Sequence, residues 1–430
     1  MPLRRAEIRP KQASRMGSGK AGCGPMIPPL SETARPLRQQ IFERVRASGT
    51  ISRIQVAKEL GVSPATVTTL TSELIEAGLL VESAAPRDAE GGRGRPAVSL
   101  AVRADAYLVA GIKLSDREHT AVIVDFAGNL VADDSIQRQP GASEPSALLD
   151  ATEQLLARVC ARAGIDRTRL SALGLGLPGF VDSSNGTVLW SPILSGRDVA
   201  FASAASARLG LPVHIDNDAN LVTLAELWFG AGRRLSDFAV VTIEHGLGMG
   251  FVLNHRIYRG ARGLGMELGH TKVQIDGALC RCGQRGCLEA YVADYALVRE
   301  ATTALNWTSR ETQSTNILLE SLFDHAKAGN PAARSIFHRA GRYLALGIAN
   351  VINLFDPELI ILSGERMRYD YLYAHETLGE IQGMALNTGR PLPRIEIHAW
   401  GDLLWGHGAA ALALSAITEG RLGTARDAAA

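Results

Sequence analysis

Residues 267–289 read ELGHTKVQIDGALCRCGQRGCLE. Three of the chain's five cysteines and one of its ten histidines fall in this stretch, as His270, Cys280, Cys282 and Cys287, with Glu267 and Glu289 at its two ends. Zn²⁺ favours Cys sulfur and His nitrogen and takes four ligands in a closed structural site, so the set points to structural zinc. Two other readings compete with it. Cysteines are often small buried hydrophobes, but Cys-x-Cys-x4-Cys bracketed by glycines is hard to place in a core. A disulfide would leave a third thiol over.

Outside this stretch the chain is ordinary in composition. Its 430 residues are 46% hydrophobic and 21% charged, which suits a globular protein of two to four domains. No apolar run approaches the roughly 18 to 20 residues that cross a bilayer, and the N-terminus has arginines but no apolar stretch behind them. A cytoplasmic location without membrane contact is the expectation, and the cysteine usage suits a reducing compartment. The net charge of +1 is unevenly spread: residues 1–100 hold 15 Lys and Arg against 9 Asp and Glu, leaving 30 against 35 in the remainder. A basic front end on a mildly acidic body implies a polyanionic partner for the front end.

Between Val102 and the cysteine stretch, strand and helix patterns alternate, the sign of an α/β domain. Apolar strands are expected at 108–114, 121–126 and 170–177, with a helix over 146–163. A strand at Val213–Ile215 runs into Asp216-Asn217-Asp218-Ala219-Asn220 and then a helix to Gly230. A polar pair between a buried strand and a helix is a common place for ligand-binding groups. Strand 238–243 leads into the glycine-rich run Glu244–Gly250, before a strand at 251–253. Beyond the cysteines come a helix over 331–353, a strand at 359–362 and a small-residue helix over 408–417.

The N-terminal part reads differently. Residues 1–32 mix Arg, Lys, Gly, Ser and Pro without periodicity and are expected to be a disordered tail. Leu37, Ile41 and Val45 mark a helix, Ser52–Leu60 a second, and Ser63 with Pro64 caps a third that runs toward Gly78. The third helix carries Ser63, Thr66, Thr68, Thr69 and Thr71, hydroxyls short enough to reach bases or phosphates from within a major groove. Two strands, 79–81 and 97–102, flank a loop in which Arg93 and Arg95 sit among glycines, suited to a narrow minor groove. Such three-helix units also occur in protein-binding modules, but the basic loop favours a winged helix-turn-helix over 33–102 that binds operator DNA.

Taken together, LGLGLPGFVD (173–182), DNDAN (216–220), GLGMELGH (263–270), CRCGQRGCLE (280–289) and NLFDPELIILSGE (353–365) resemble, in order, the motifs of the ROK family. That family comprises sugar kinases and sugar-responsive repressors built on an actin-like ATPase fold. The resemblance implies two α/β lobes in residues 103–417, the first about 103–220 with helix 408–417, the second about 221–400, and a tail over 418–430. It implies zinc on the His and Cys set, and sugar held in a cleft by Asn217, Asp218, Glu267, His270 and Glu289. Carboxylates accept hydroxyl protons, and a misplaced epimer would leave these buried groups unpaired. One ring nitrogen of His270 would bind zinc and the other a sugar oxygen.

In kinase members Asp218 is the general base, and the first phosphate loop carries an Asp, two glycines and a Thr. Here those positions are Lys113, Ser115, Asp116 and Arg117. Side chains in place of glycines block close approach of backbone N–H groups to phosphate, and the acid that organises Mg²⁺ is gone. The second loop has Glu244-His245-Gly246-Leu247-Gly248 in place of the kinases' Asp-x-Gly-Thr-Gly. The expectation is therefore not an enzyme, with no ATP bound, but a sugar-responsive transcriptional regulator, a homodimer or tetramer that represses carbohydrate genes. The alternative is a sugar kinase with an accessory DNA-binding domain.

Overall fold

The structure, a computed structural model, describes residues 11–12, 22–27, 35–84, 98–307, 314–364, 367, 375–386, 389, 391–399, 401 and 403–423. These fall into two compact units. One holds the described residues from Gly22 to Ser236, Asn254–Leu264 and those from Leu403 on; the other holds Asp237–Leu253 and the described residues of 265–401, together with Lys11 and Gln12.

The first unit begins with three helices, α1 (Leu37–Ser48), α2 (Arg53–Leu60) and α3 (Pro64–Glu76). Ser52 Oγ accepts from Gln55 N at 3.2 Å to start α2, and Gly61, at φ 67°, turns the chain out of it. Ser63 Oγ accepts from Thr66 N at 3.1 Å and Pro64 opens α3, as the sequence indicates. Ile41, Phe42 and Val45 of α1 and Val67 and Leu74 of α3 are fully buried and form the centre of the three-helix unit. A three-stranded antiparallel sheet follows, with Val98–Val102 between Thr50–Ser52 and Leu80–Ala84. Strand 50–52 was not foreseen, because three residues are too few for an alternating pattern to register. The loop that carries Arg93 and Arg95 lies outside the described residues.

A five-stranded sheet makes the next layer, in the order Val213–Asn217, Leu170–Leu177, Leu108–Lys113, Glu118–Asp125, Leu130–Gln137. The first two pairings are parallel and the last two are antiparallel hairpins. Strand 130–137 was missed, since its half-exposed face and two aspartates obscure the alternation. The C-terminal helix lies across this sheet and runs over Leu403–Leu422, longer at both ends than the 408–417 expected. Its close approach explains the small residues on both sides: a Cβ on Gly111 would stand 2.4 Å from Ala410 N, and one on Gly174 would stand 1.8 Å from Ala409 O. Thr418, placed in the tail by the sequence reading, is buried on this helix.

Helix Asp218–Phe229 packs on the same C-terminal helix, where a Cβ on Gly408 would stand 1.9 Å from Leu221 O. It therefore belongs wholly to the first unit, and the division between units falls at Ser236 rather than at residue 220. Residues 22–27, expected to be disordered, are packed: Cys23 is buried and its N–H donates to Arg46 O at 3.1 Å. Their glycines and prolines mimic tail composition, and the partners that order them lie far along the chain.

In the second unit, strands Phe238–Ile243, Leu359–Ser363 and Arg394–Ala399 pair in parallel, and Leu247–Leu253 runs antiparallel to the first. Lys11–Gln12 pairs with the far edge. Helices Asp294–Ala304, Thr315–Lys327 and Pro331–Phe355 close one side over Leu297, Leu322, Phe337 and Ile348. The run Glu244–Gly250, taken from its glycines as a loop, is a tight turn at 244–246 followed by strand, because the glycines from 248 on pair with 240 and 242.

Candidate functional site

The second unit carries a cluster that could hold a metal ion. Ligand atoms of His270, Cys280, Cys282 and Cys287 all lie within 4.8 Å of one another. Cys282 Sγ and Cys287 Sγ are 3.7 Å apart, and Cys280 Sγ is 3.8 Å from His270 Nδ1. A tetrahedron with metal–sulfur bonds of about 2.3 Å has edges of about 3.8 Å, which these two separations match, so the four residues suit one ion. The backbone makes this geometry locally. Cys280 N donates to Gln284 O and Gly283 N to Cys280 O, at 2.8 and 3.0 Å, a knuckle closed by Gly283 at φ 88°. Gly286 comes so close to Gln274 O that a Cβ there would stand 1.7 Å away.

The surroundings suit thiolate charge. Lys272 Nζ lies 2.9 Å from Cys287 Sγ, and this contact raises the Lys272 pKa. Burial pushes the Cys280 thiol up, a cost that a bound cation would offset. Tyr295 Oη reaches both Cys280 Sγ at 3.5 Å and Glu289 Oε1 at 3.3 Å, and burial chiefly raises its own pKa. Tyr295 and Lys272 were not foreseen, since neither lies within the Cys/His pattern by type.

Glu289 adjoins this cluster. Its carboxylate is buried, with Oε1 3.5 Å from Cys280 Sγ and Oε2 accepting from Leu247 N at 3.3 Å. Glu267 is half-buried and begins the turn Leu268–His270, in which His270 N donates to Glu267 O at 3.0 Å. Met266 before it is held at φ 69°, an uncommon conformation for a bulky side chain. Gly269 is required because a Cβ would meet Leu247 O at 2.2 Å. Glu267 and His270 thus share one turn, and Glu289 meets the cluster at Cys280. His245 Nδ1 also pairs with buried Asp294 at 2.9 Å, fixing the neighbouring 244–246 turn.

Asn217 and Asp218 belong to the first unit. They stand where strand 213–217 ends and helix Asp218–Phe229 begins, at the carboxyl end of the five-stranded sheet. Asn217 Oδ1 caps the helix by accepting from Asn220 N at 2.8 Å, and Asp218 Oδ1 accepts from Ala219 N at 2.9 Å. Burial pushes the Asp218 carboxyl up, while the Lys113 ammonium pulls it down. Lys113 is itself buried, with Nζ 3.5 Å from the centre of the Trp405 ring. Asp216, overlooked in the sequence, organises the turn: its carboxylate takes Arg259 at 2.6 and 2.8 Å and Asn220 Nδ2 at 2.8 Å.

On the winged helix-turn-helix, Ser63, Thr66, Thr68 and Thr69 are exposed along α3. Thr68 Oγ1 donates to Pro64 O at 2.8 Å and Thr69 Oγ1 to Ala65 O at 3.2 Å, which leaves lone pairs outward as acceptors. Thr71 departs from the expectation. It is fully buried and accepts from Arg53 Nε at 3.0 Å, because it lies one turn beyond Val67 on the inward face.

Two family descriptions match this chain: the ROK family over residues 109–416 and a winged helix-turn-helix DNA-binding unit over residues 35–81. The chain is 29% identical over 340 residues to the xylose repressor of Caldicellulosiruptor bescii, covering 77% of this chain and 83% of that protein. Among solved structures, a ROK family transcriptional regulator described as a homologue of the E. coli MLC protein superposes with a TM-score of 0.73 at 28% identity, covering 90% of this chain and 96% of the other. A ROK hexokinase from Thermus thermophilus superposes with a TM-score of 0.62, also at 28% identity, over 73% of this chain and 99% of the other. The chain belongs to the ROK family and joins its actin-like ATPase fold to an N-terminal winged helix-turn-helix.

Proposed function

We propose that this protein is a sugar-responsive transcriptional repressor that binds operator DNA through α3 and the wing and does not phosphorylate sugar. The observation that carries the reading is one chain that joins a winged helix-turn-helix, with exposed hydroxyls on the capped α3, to a ROK domain. Ser115 N, at a position where kinases need an N–H for phosphate, donates to His119 Nδ1 at 3.1 Å, and Ser115 Oγ donates to Glu118 O at 2.6 Å. Lys113, at the position of the kinases' acid, lies against Trp405. Metal-assisted phosphoryl transfer depends on charge neutralisation and on glycine backbone at these places.

In this reading Asn217, Asp218, Glu267, His270 and Glu289 bind sugar hydroxyls, and His270, Cys280, Cys282 and Cys287 hold structural zinc that fixes the second group. Operator recognition uses Ser63, Thr66, Thr68 and Thr69, with Arg93 and Arg95 on the wing, and the protein acts as a homodimer or tetramer. The kinase reading is kept by one observation, the retained Asp218 beside family members that are kinases. A coupled ADP-release assay over D-xylose, D-glucose and N-acetyl-D-glucosamine separates the two: the repressor reading expects no sugar-dependent ADP. Turnover lost in Asp218→Asn would establish the kinase.

A further inference from the structure

The helix Asp218–Phe229 has its two ends in different jobs. Its first turn holds Asn217 and Asp218, the polar pair assigned above to sugar. Its last turn touches the DNA-binding domain. Trp228 lies under the guanidinium of Arg46 from α1, 4.3 Å from ring centre to Cζ. Trp228 O, one of the carbonyls that a helix end leaves without an internal donor, accepts from Gly24 N at 2.8 Å. The turn that follows the helix returns the favour to α1: Arg233 Nη2 donates to Ala47 O at 2.6 Å and Arg233 Nε to Gly24 O at 3.1 Å. A cation at a helix C-terminus also matches the helix dipole.

Residues 22–27 are the third party at this junction. Cys23 N donates to Arg46 O, and Met26 N donates to Arg233 O, at 3.1 and 2.7 Å. The segment thereby ties the end of α1 to the end of the sugar-site helix. It has no room to slide: a Cβ on Gly22 would stand 2.2 Å from Arg46 O, and one on Gly128 would stand 2.5 Å from Cys23 Sγ.

Arg46 is unusual as a purely structural residue. It is buried, no carboxylate accepts from it among the described contacts, and its Nε has no hydrogen-bond partner among the described residues. Its Nη1 donates to Thr418 Oγ1 at 2.8 Å on the C-terminal helix. A desolvated charge held by an indole face, by the Phe42 ring of its own helix at 5.3 Å and by one hydroxyl is sensitive to small displacements of the indole or the hydroxyl. A 12-residue helix spans about 18 Å as a rigid rod, so a shift at its capped N-terminus arrives at its C-terminus.

The geometry points to Arg46 as the positioning residue through which the sugar-site helix sets the placement of the winged helix-turn-helix, with residues 22–27 and Arg233 as the clasp. This rests on the sugar-responsive reading of the previous subsection and specifies its route. α1 packs on α3, so displacement of α1 is displacement of the recognition helix. The clasp joins α1, which packs on the recognition helix, to the helix that begins at the sugar-site pair, and it is anchored beside them on Thr418 of the C-terminal helix and against Gly128.

The test uses the full chain, its zinc retained, and a duplex selected from random sequence by the wild-type protein. Operator affinity is measured with and without D-xylose, D-glucose and N-acetyl-D-glucosamine, and sugar affinity by calorimetry. Amide exchange is followed in 22–27 and 37–48. For the wild type, the binding sugar should change operator affinity by roughly 5- to 150-fold and change exchange in both segments. Arg46→Met, which keeps the packing over Trp228, and Arg233→Met should each bind sugar as before yet bring the operator ratio to within a factor of about two of unity, and Arg46→Lys should restore part of it. Both Met variants keeping the wild-type ratio would overturn this inference and leave the repressor reading standing. A sugar that binds the wild type with no effect on operator affinity overturns the repressor reading, and this inference with it.

Discussion

Replacing Cys282 with Ser removes one corner of the His270, Cys280, Cys282, Cys287 cluster and separates metal binding from the rest of the fold. Cys282 is exposed and lies 3.7 Å from Cys287 Sγ, so the substitution leaves no cavity and disturbs little besides the ligand set. A metal held there would tie His270 to Cys287 across a segment that packs a small apolar cluster, Cys280, Cys287 and Ala290 with Ala278 and Tyr291, and makes two isolated bridges. Closing a loop of about this length with a cross-link is worth on the order of 3 kcal/mol. In a unit of this size that corresponds to a fall of about 6–12 °C in its melting temperature. Zinc content by mass spectrometry and scanning calorimetry give the readouts: about one zinc per chain in the wild type and little in the variant, with the lower transition in the variant alone. Sugar affinity should fall with the metal, because His270 and Glu289 are set by the same knuckle, while sugar-free operator binding persists. Full zinc in the variant, or a zinc-free variant that melts with the wild type, would refute the reasoning.

Further outcomes follow from titratable groups. Burial raises the Asp218 carboxyl, so its ionised form costs stability in the fold; that cost is absent below the ordinary carboxylate value and complete once pH has risen through the raised one, so Asp218→Asn should melt higher than wild type at pH 8 with the gain shrinking toward pH 4. The same variant should lose the dependence of sugar affinity on pH, checked by calorimetry across that range. His119, buried and held neutral down to about pH 4 by desolvation and by Arg138, binds fewer protons folded than unfolded below its ordinary value of 6.5. Stability should thus decline from about pH 6.5 to about pH 4 by on the order of 3 kcal/mol, and His119→Gln should flatten that limb in urea titrations. Burial pushes the Cys23 thiol to about 11; iodoacetamide at pH 8 should leave Cys23 unmodified in the native chain, and should modify Cys282 only after chelation, as peptide mass mapping would show.

The metal cluster was legible because its chemistry is local: four ligands within eighteen residues, with glycines marking the turns between them. The capped helices of the winged unit were legible for the same reason, since Ser52, Ser63 and Pro64 act on their own neighbours. Strands 170–177 and 238–243 are legible as predominantly apolar runs, with Ser171 and Thr242 as their polar members. What escaped depended on distant partners. Residues 22–27 have tail-like composition, and the partners that give them a place, among them Arg46, Gly128, Trp228 and Arg233, lie further along the chain. Arg259 reaches Asp216 across 43 positions, and Lys113 meets Trp405 across nearly the whole domain, contacts that no periodicity encodes. Thr71 was misassigned because four hydroxyl residues in six positions look like one face, although a helix must turn some of them inward.

The central claim is that sugar and operator DNA bind one chain and influence each other. Fluorescence anisotropy of the selected duplex, titrated with the full-length protein in the presence and absence of each sugar at fixed salt, tests it most directly. At least one sugar should change the operator Kd by roughly 5- to 150-fold, with no ADP formed under the same conditions. An operator Kd unmoved by a sugar that calorimetry shows to be bound would contradict it.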